Sequence, residues 1–186
     1  AAASYDRPEG PLWAMIIGGS SRSHPYSAED WTGLARGINV LAKRFGIRWL
    51  LTTSRRTGAE IERLLKSEIE SEVLADAIWW ATQPDKQMMV WLGSANLIFV
   101  TQDSVTMVTE CVATGKAVVV LRPSKEKFPI KSFIPQYLKR LELKYGLSKL
   151  RMAQLVEEFE LPDEPQTLST GTPCSGMVET LLKRLE

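Results

Sequence analysis

The chain has little cysteine, a single histidine, almost no net charge and no long apolar run. Its two cysteines, Cys111 and Cys174, lie far apart and in no metal-ligand spacing, which excludes a disulfide-dense scaffold and any legible zinc site. Cys111 falls on the inward face of a predicted helix and reads as a small core residue. That usage fits a reducing compartment, and a cytoplasmic location is the expectation. Lys and Arg number 23 against 22 Asp and Glu, so the electrostatic footprint of a nucleic-acid binder is missing and no such partner is expected. No apolar run reaches membrane-spanning length, and no secretory leader is legible. The Gly-x-Gly-x-x-Gly fingerprint, the Gly-Lys-Ser/Thr phosphate loop, metal-ligand sets and a Ser-His-Asp context are all absent, so neither a cofactor nor a metal is expected. What remains is 186 residues, 44% hydrophobic and 24% charged, enough for one domain with a real core. The chain begins Ala-Ala-Ala-Ser-Tyr without Met, which reads as a processed end, an expression scar, or the C-terminal half of something longer.

Apolar runs alternate with amphipathic stretches. Leu12 to Gly18 is a buried strand running into the turn Gly18-Gly19-Ser20-Ser21. Ser27, with Asp30 three residues on, marks a helix start; Trp31, Leu34, Ala35, Ile38, Leu41, Ala42 and Phe45 share a face, and Gly46 stops it. Ile47 to Thr53 is a second strand. Thr57 and Glu60 read as a capping box for a helix with Ile61, Leu64, Leu65 and Ile69 inward. Ala77 to Thr82 is a short third strand and Asp85 to Gly93 a short helix. Asn96 to Leu121 is the most informative stretch: a buried strand, a polar turn, a short helix, a stop at Gly115 and another buried strand. Continuous apolar strands alternating with helices predict an α/β fold, a Rossmann-like parallel sheet with helices on both faces and strand order 3-2-1-4-5. The expected organisation is one domain over 1–186, with a sheet core at 12–123 and a helical extension at 124–160. A charged loop at 125–131 opens the extension. Pro135 to Tyr145 and Ser148 to Glu160 are its helices, the second facing inward with Met152, Leu155, Val156 and Phe159. A linker over 161–174 leads to a terminal helix over 175–186.

Three strand ends carry polar clusters that this topology would bring to one edge, where ligands bind in parallel α/β sheets. Gly19, Ser20, Ser21 and Arg22 follow the first strand; they form either a close backbone approach to a ligand or a plain turn. Thr52 to Thr57 follows the second. There Ser54, Arg55 and Arg56 form either a forked grip on an anion or a solvated turn with a helix cap. Asp103, Ser104, Thr106 and Met107 open the helix after the fourth strand, where free N–H groups and the helix dipole suit phosphate. Glu110, a turn further in, is placed to accept hydrogen bonds from sugar hydroxyls. The alternative makes Asp103 or Ser104 a cap and Glu110 a solvated helix residue. His24 follows the first turn and reads as an incidental loop histidine or a cleft base. Tyr145 and Lys149 have Tyr-x-x-x-Lys spacing without the matching glycine fingerprint, which makes the spacing coincidental.

The run Thr52-Thr53-Ser54-Arg55-Arg56-Thr57 and the run Val100 to Glu110, closing with Ala113-Thr114-Gly115-Lys116, resemble the mitochondrial-fission ELM family. Its bacterial members often carry the label of nucleoside-diphosphate-sugar epimerases. The resemblance covers about residues 12 to 123. More distantly, the same region is similar to the C-terminal, donor-binding half of GT-B glycosyltransferases and of non-hydrolysing sugar-nucleotide epimerases. That resemblance implies a diphosphate held at Gly19 to Ser21 and Ser104 to Met107, a ribose held by Glu110, and a nucleotide-diphosphate sugar as partner. It also implies a missing N-terminal domain, and hence an isolated chain with little activity. The pattern departs at Ala117, where such motifs continue Gly-Lys-Pro. Plant members of the family are associated with recruiting a dynamin-like protein, so the resemblance equally implies a non-enzymatic adaptor that keeps the fold.

Overall fold

The computed structural model describes residues 10–83, 88–128 and 132–161. Six strands lie side by side in one sheet: β1 (Leu12–Ile16), β2 (Arg48–Thr52), β3 (Leu74–Ile78), β4 (Leu97–Thr101), β5 (Val118–Arg122) and β6 (Ser148–Arg151). Their order is β3-β2-β1-β4-β5-β6 and every pair is parallel. The expected order of five strands holds, and β6 extends it at the β5 edge. Strands β1 and β4 are buried along their whole length, because helices cover both faces and leave no polar side to alternate with.

Helices α1 (Ala28–Phe45) and α2 (Ala59–Glu68) cover one face, and α3 (Met88–Ser94), α4 (Val105–Ala113) and α5 (Ile134–Tyr145) cover the other. Helix α1 starts where its signal lies: Ser27 Oγ accepts from the Asp30 amide at 3.2 Å, and Asp30 Oδ2 accepts from the Ser27 amide at 2.8 Å. It ends at Gly46 in the left-handed region. Its face of the sheet is filled by rings: Trp13, Phe45, Trp49, Phe99 and Phe159 meet at centroid distances of 5.1 to 5.7 Å. The opposite face is aliphatic, with Ala14, Ile16, Val100, Val108, Cys111 and Leu138.

Three expectations are corrected. Residues 148–160 are not one helix. Ser148–Arg151 pairs with β5 as β6, and a 3₁₀ turn (Met152–Gln154) and a short helix α6 (Leu155–Glu158) follow. Met152, Leu155 and Phe159 are buried as expected, but against α1 across the sheet. There α1 presents Gly33 and Gly37; a Cβ on either would lie 2.6 Å from Ala153 Cα or Leu155 Cδ2, so the segment seats directly on the helix backbone. The third strand is Leu74–Ile78 rather than 77–82. The amides of Trp80 and Ala81 donate to Thr53 Oγ1 at 2.8 Å and Glu62 Oε1 at 3.1 Å instead of to a ladder. Finally, Thr57 and Glu60 form no capping box. Helix α2 begins after Gly58 with no side-chain cap, because the Thr57 hydroxyl is used elsewhere. The helix expected to begin at Asp85 is described only from Met88. The linker after Leu161 and the terminal helix lie outside the described residues.

Candidate functional site

The sheet order reverses between β1 and β4, and the C-terminal ends of β1, β2 and β4 meet beside that crevice. The backbone of Gly18 and Gly19 runs through the middle. The Gly18 amide donates to Thr101 Oγ1 at 2.7 Å, and the Gly19 amide to Asp103 Oδ2 at 3.1 Å. The Gly18 carbonyl accepts from the Thr57 hydroxyl. A Cβ on Gly18 would overlap the Asp103 carboxylate, and one on Gly19 would overlap the Arg56 carbonyl. Both glycines are therefore there for close approach, of loop to loop.

Arg56 and Asp103 join the second and third clusters. Arg56 Nη2 lies 2.5 Å from Asp103 Oδ2; the arginine side chain is 45% exposed and the aspartate side chain fully buried. Asp103 Oδ1 has no hydrogen-bond partner. Ser104, not Asp103, caps α4, its Oγ accepting from the Met107 amide at 3.3 Å. The amides of Val105 and Thr106 then have no helical acceptor and stay at the edge. Thr106 is exposed, Met107 half-buried against the aliphatic face, and Glu110 half-buried on α4 with no ion pair among the described residues. Arg22 and Arg55 are exposed and likewise without ion pairs among the described residues.

The serine hydroxyls of the first cluster bond within their own loop. Ser20 Oγ accepts from the Tyr26 amide at 3.2 Å, and Ser21 Oγ accepts from the His24 amide at 3.1 Å. Ser54 Oγ accepts from the Arg56 amide at 3.3 Å, shaping its turn. Thus the structure brings Gly19, Arg56 and Asp103 into one contact set, with Ser104 next in sequence at the cap of α4. Among the described residues, Arg22, Arg55 and Glu110 form no ion pair with this set.

Beneath the loops lies a polar layer that the sequence did not reveal. His24 is 1% exposed. Its Nδ1 lies 3.4 Å from Ser21 Oγ, its Nε2 lies 3.2 Å from Gln102 Nε2, and its ring meets Phe128 edge-on. Gln102 Nε2 also donates to Glu126 Oε1 at 2.7 Å, while Gln102 Oε1 has no partner. With the amide donating, His24 Nε2 is the acceptor and Nδ1 carries the proton toward Ser21. Burial lowers the His24 pKa below its ordinary value; the charges of Asp103 and Glu126 oppose this and Arg56 adds to it. Tyr26 donates to the Leu121 carbonyl at 3.1 Å and accepts from the Gln102 amide at 3.0 Å, and burial followed by the Asp103 charge holds its phenol well above the usual range. The sequence signals for this layer were separate ones: His24, three residues after Ser21, and the polar cluster after β4. Gln102 lies in the third polar cluster, but nothing in the sequence tied it to His24 or to Glu126, which lies a whole strand away.

Beside Arg56, between α1 and α2, lies a hollow of about 300 Å³ lined by Ser20, Tyr26, Trp31, Ile61 and Leu64 among others. Among the described residues no group of three His, Cys, Asp or Glu side chains is placed to hold a metal. Burial, followed by the Glu110 charge, pushes the Cys111 thiol up to about 12, so it is a core residue without nucleophilic character. Tyr145 and Lys149 do not form a catalytic pair: Lys149 is bonded to Glu142 at 2.7 Å. Among the described residues no helix is long and apolar enough to cross a membrane.

A family model described as mitochondrial fission ELM1 matches residues 1–160. No curated protein matches the chain. Among solved structures, a putative UDP-N-acetylglucosamine 2-epimerase from Listeria monocytogenes is similar over 84% of this chain, with a TM-score of 0.54 and 14% identity. The chain spans 39% of that protein's length. A dodecameric FMN-dependent UbiX-like decarboxylase from Escherichia coli O157:H7 is similar over 74% of this chain and 79% of its own, with a TM-score of 0.46 and 12% identity.

Proposed function

We propose that this chain, which belongs to the mitochondrial fission ELM1 family, is a nucleotide-diphosphate-sugar binding domain of GT-B type. The observation that carries the reading is the convergence of the Gly19 loop, Arg56 and the open N-terminus of α4 on the β1/β4 reversal. The fold likeness to a putative UDP-N-acetylglucosamine 2-epimerase points the same way. In this reading the diphosphate lies along Gly19 to Ser21 and accepts from the free amides at the start of α4. Glu110, free of ion pairs among the described residues, accepts from the ribose hydroxyls. Arg22 and Arg55 supply positive charge from the rim, which removes the need for a metal. The domain acts in the cytoplasm, and a second domain completes the active site. Transfer or epimerisation needs a base and an acceptor held within hydrogen-bond reach, so this chain binds the donor without turning it over.

A scaffold that retains the fold is the second reading, and one observation favours it: a buried carboxylate, Asp103, already engages Arg56 and the Gly19 amide. Thermal shift against UDP, GDP and their sugars separates the two. A donor at about a hundred times its dissociation constant adds roughly 2.7 kcal/mol of stability, and no shift with any of them leaves the scaffold. Glu110→Ala weakens that binding by about 1.5 to 3 kcal/mol and leaves the melting temperature of the free domain unchanged. Calorimetry showing equal affinity removes Glu110 from the site.

A further inference from the structure

The Asp103 side chain is fully buried at this edge, and its surroundings are those of a bound anion. A backbone amide from the glycine loop donates to it, a guanidinium grips it, and it sits one residue before the cap of α4. Its second oxygen is buried and unpartnered, held against a glycine whose missing Cβ leaves the space. An aspartate kept only for structure would be expected to satisfy both oxygens, because a buried unpaired acceptor is costly. The two donors it holds, the Gly19 amide and Arg56, are of the types that bind phosphate oxygens.

We propose that Asp103 is the resident anion of this edge: it sets which ligands enter, because an incoming phosphate must take Arg56 from the Asp103 carboxylate. The inference rests on the reading of the edge as a diphosphate site. Its consequence is charge selectivity. A doubly charged phosphate can replace the carboxylate on Arg56 and gain from the amides of α4. A neutral or singly charged group lacks the charge to displace it. Asp103 also repels what it does not release, so it lowers the affinity for every anion.

The sign of one substitution tests this. Asp103→Asn keeps an oxygen for the Gly19 amide, frees Arg56 and removes the negative charge. Calorimetry on the full chain with inorganic pyrophosphate is expected to show binding roughly tenfold tighter in Asp103→Asn than in the unaltered protein, the scale of one charge-assisted hydrogen bond. Uridine, which has no phosphate, is the control and binds both proteins equally. Weaker or unchanged pyrophosphate binding by the folded variant overturns the proposal. So does a parallel gain for uridine, which would mark a general loosening. If Asp103→Asn loses its cooperative melt, the unaltered chain decides by NMR. Pyrophosphate up to about 10 mM, a range that covers weak anion sites, then shifts both the Gly19 amide and the Arg56 guanidinium signals, and no shift of either refutes the proposal. A tighter pyrophosphate complex in Asp103→Asn with no sugar nucleotide bound by either protein upholds Asp103 as resident anion and rejects the donor-binding reading.

Discussion

Two turns feed helices at the same edge of the sheet, and each opens and closes on Thr with a Ser between. Thr52 to Thr57 leads into α2, and Thr101 to Thr106 leads into α4. The first uses its hydroxyls as braces. Thr57 is buried, accepts from the Ser54 amide at 3.0 Å and donates to the Gly18 carbonyl, while α2 starts uncapped. In the second, Ser104 caps its own helix and leaves amides open at the edge. Both turns hold the glycine loop, the first through the Thr57 hydroxyl and the second through Thr101 Oγ1 and Asp103 Oδ2, but only the second caps its helix with its own side chain. The same Ser/Thr vocabulary serves either task, and what decides between them is whether another backbone passes within reach of the hydroxyl.

Removing the space between the turns should have the largest effect. Gly19→Ala drives a Cβ into the Arg56 carbonyl, backbone against backbone, and is expected to cost about 3 kcal/mol in urea unfolding. A variant as stable as the parent would mean that the two loops are not in contact. Thr57→Val comes next. It deprives the Gly18 carbonyl and the Ser54 amide of their partner in a buried place, for about 2 kcal/mol. A loss under about 0.5 kcal/mol would make Thr57 an ordinary surface turn residue.

A pair of serine variants sharpens the contrast between the turns. Ser104→Ala loses a helix cap and about 1 kcal/mol, whereas Ser54→Ala, which caps nothing, stays within about 0.5 kcal/mol. Equal losses would erase the distinction. The smallest effect is the pH response of the layer beneath. Burial holds the folded pKa of His24 below the ordinary value of 6.5, so the unfolded chain takes up a proton first. Stability is therefore full above 6.5 and declines as pH falls from there toward the folded pKa. His24→Gln should flatten that decline in a melting series from pH 7.5 to 5; an unchanged slope would assign it to other groups.

Local signals were legible where local physics decides. Ser27 with Asp30, the stop at Gly46 and the buried runs of β1 and β4 each act within a few residues, and each reads correctly. Strand β6 was hidden because Ser148–Arg151 is short, half-polar and at the sheet's edge, and the spacing of Met152, Leu155 and Phe159 imitates a helix face. Trp79 and Trp80 extended the third strand on paper, but Thr53 and Glu62 capture the amides that follow. At the edge, topology alone placed three clusters together. That Arg56 would meet Asp103 was not legible, because the ion pair spans 47 residues and depends on how closely two glycines let the loops approach.

The seat of residues 152–159 on Gly33 and Gly37 has a consequence in time. Helix α1 is made well before the segment that fills its groove, which follows β6. At ~5–20 residues per second the bare backbone of that groove waits roughly 6 to 24 seconds for its occupant. During that interval Leu34, Ile38 and Trp13 have an incomplete cover, and other apolar chains compete for it. The glycines that let this domain close so tightly at the end are what leave it open while it is being born.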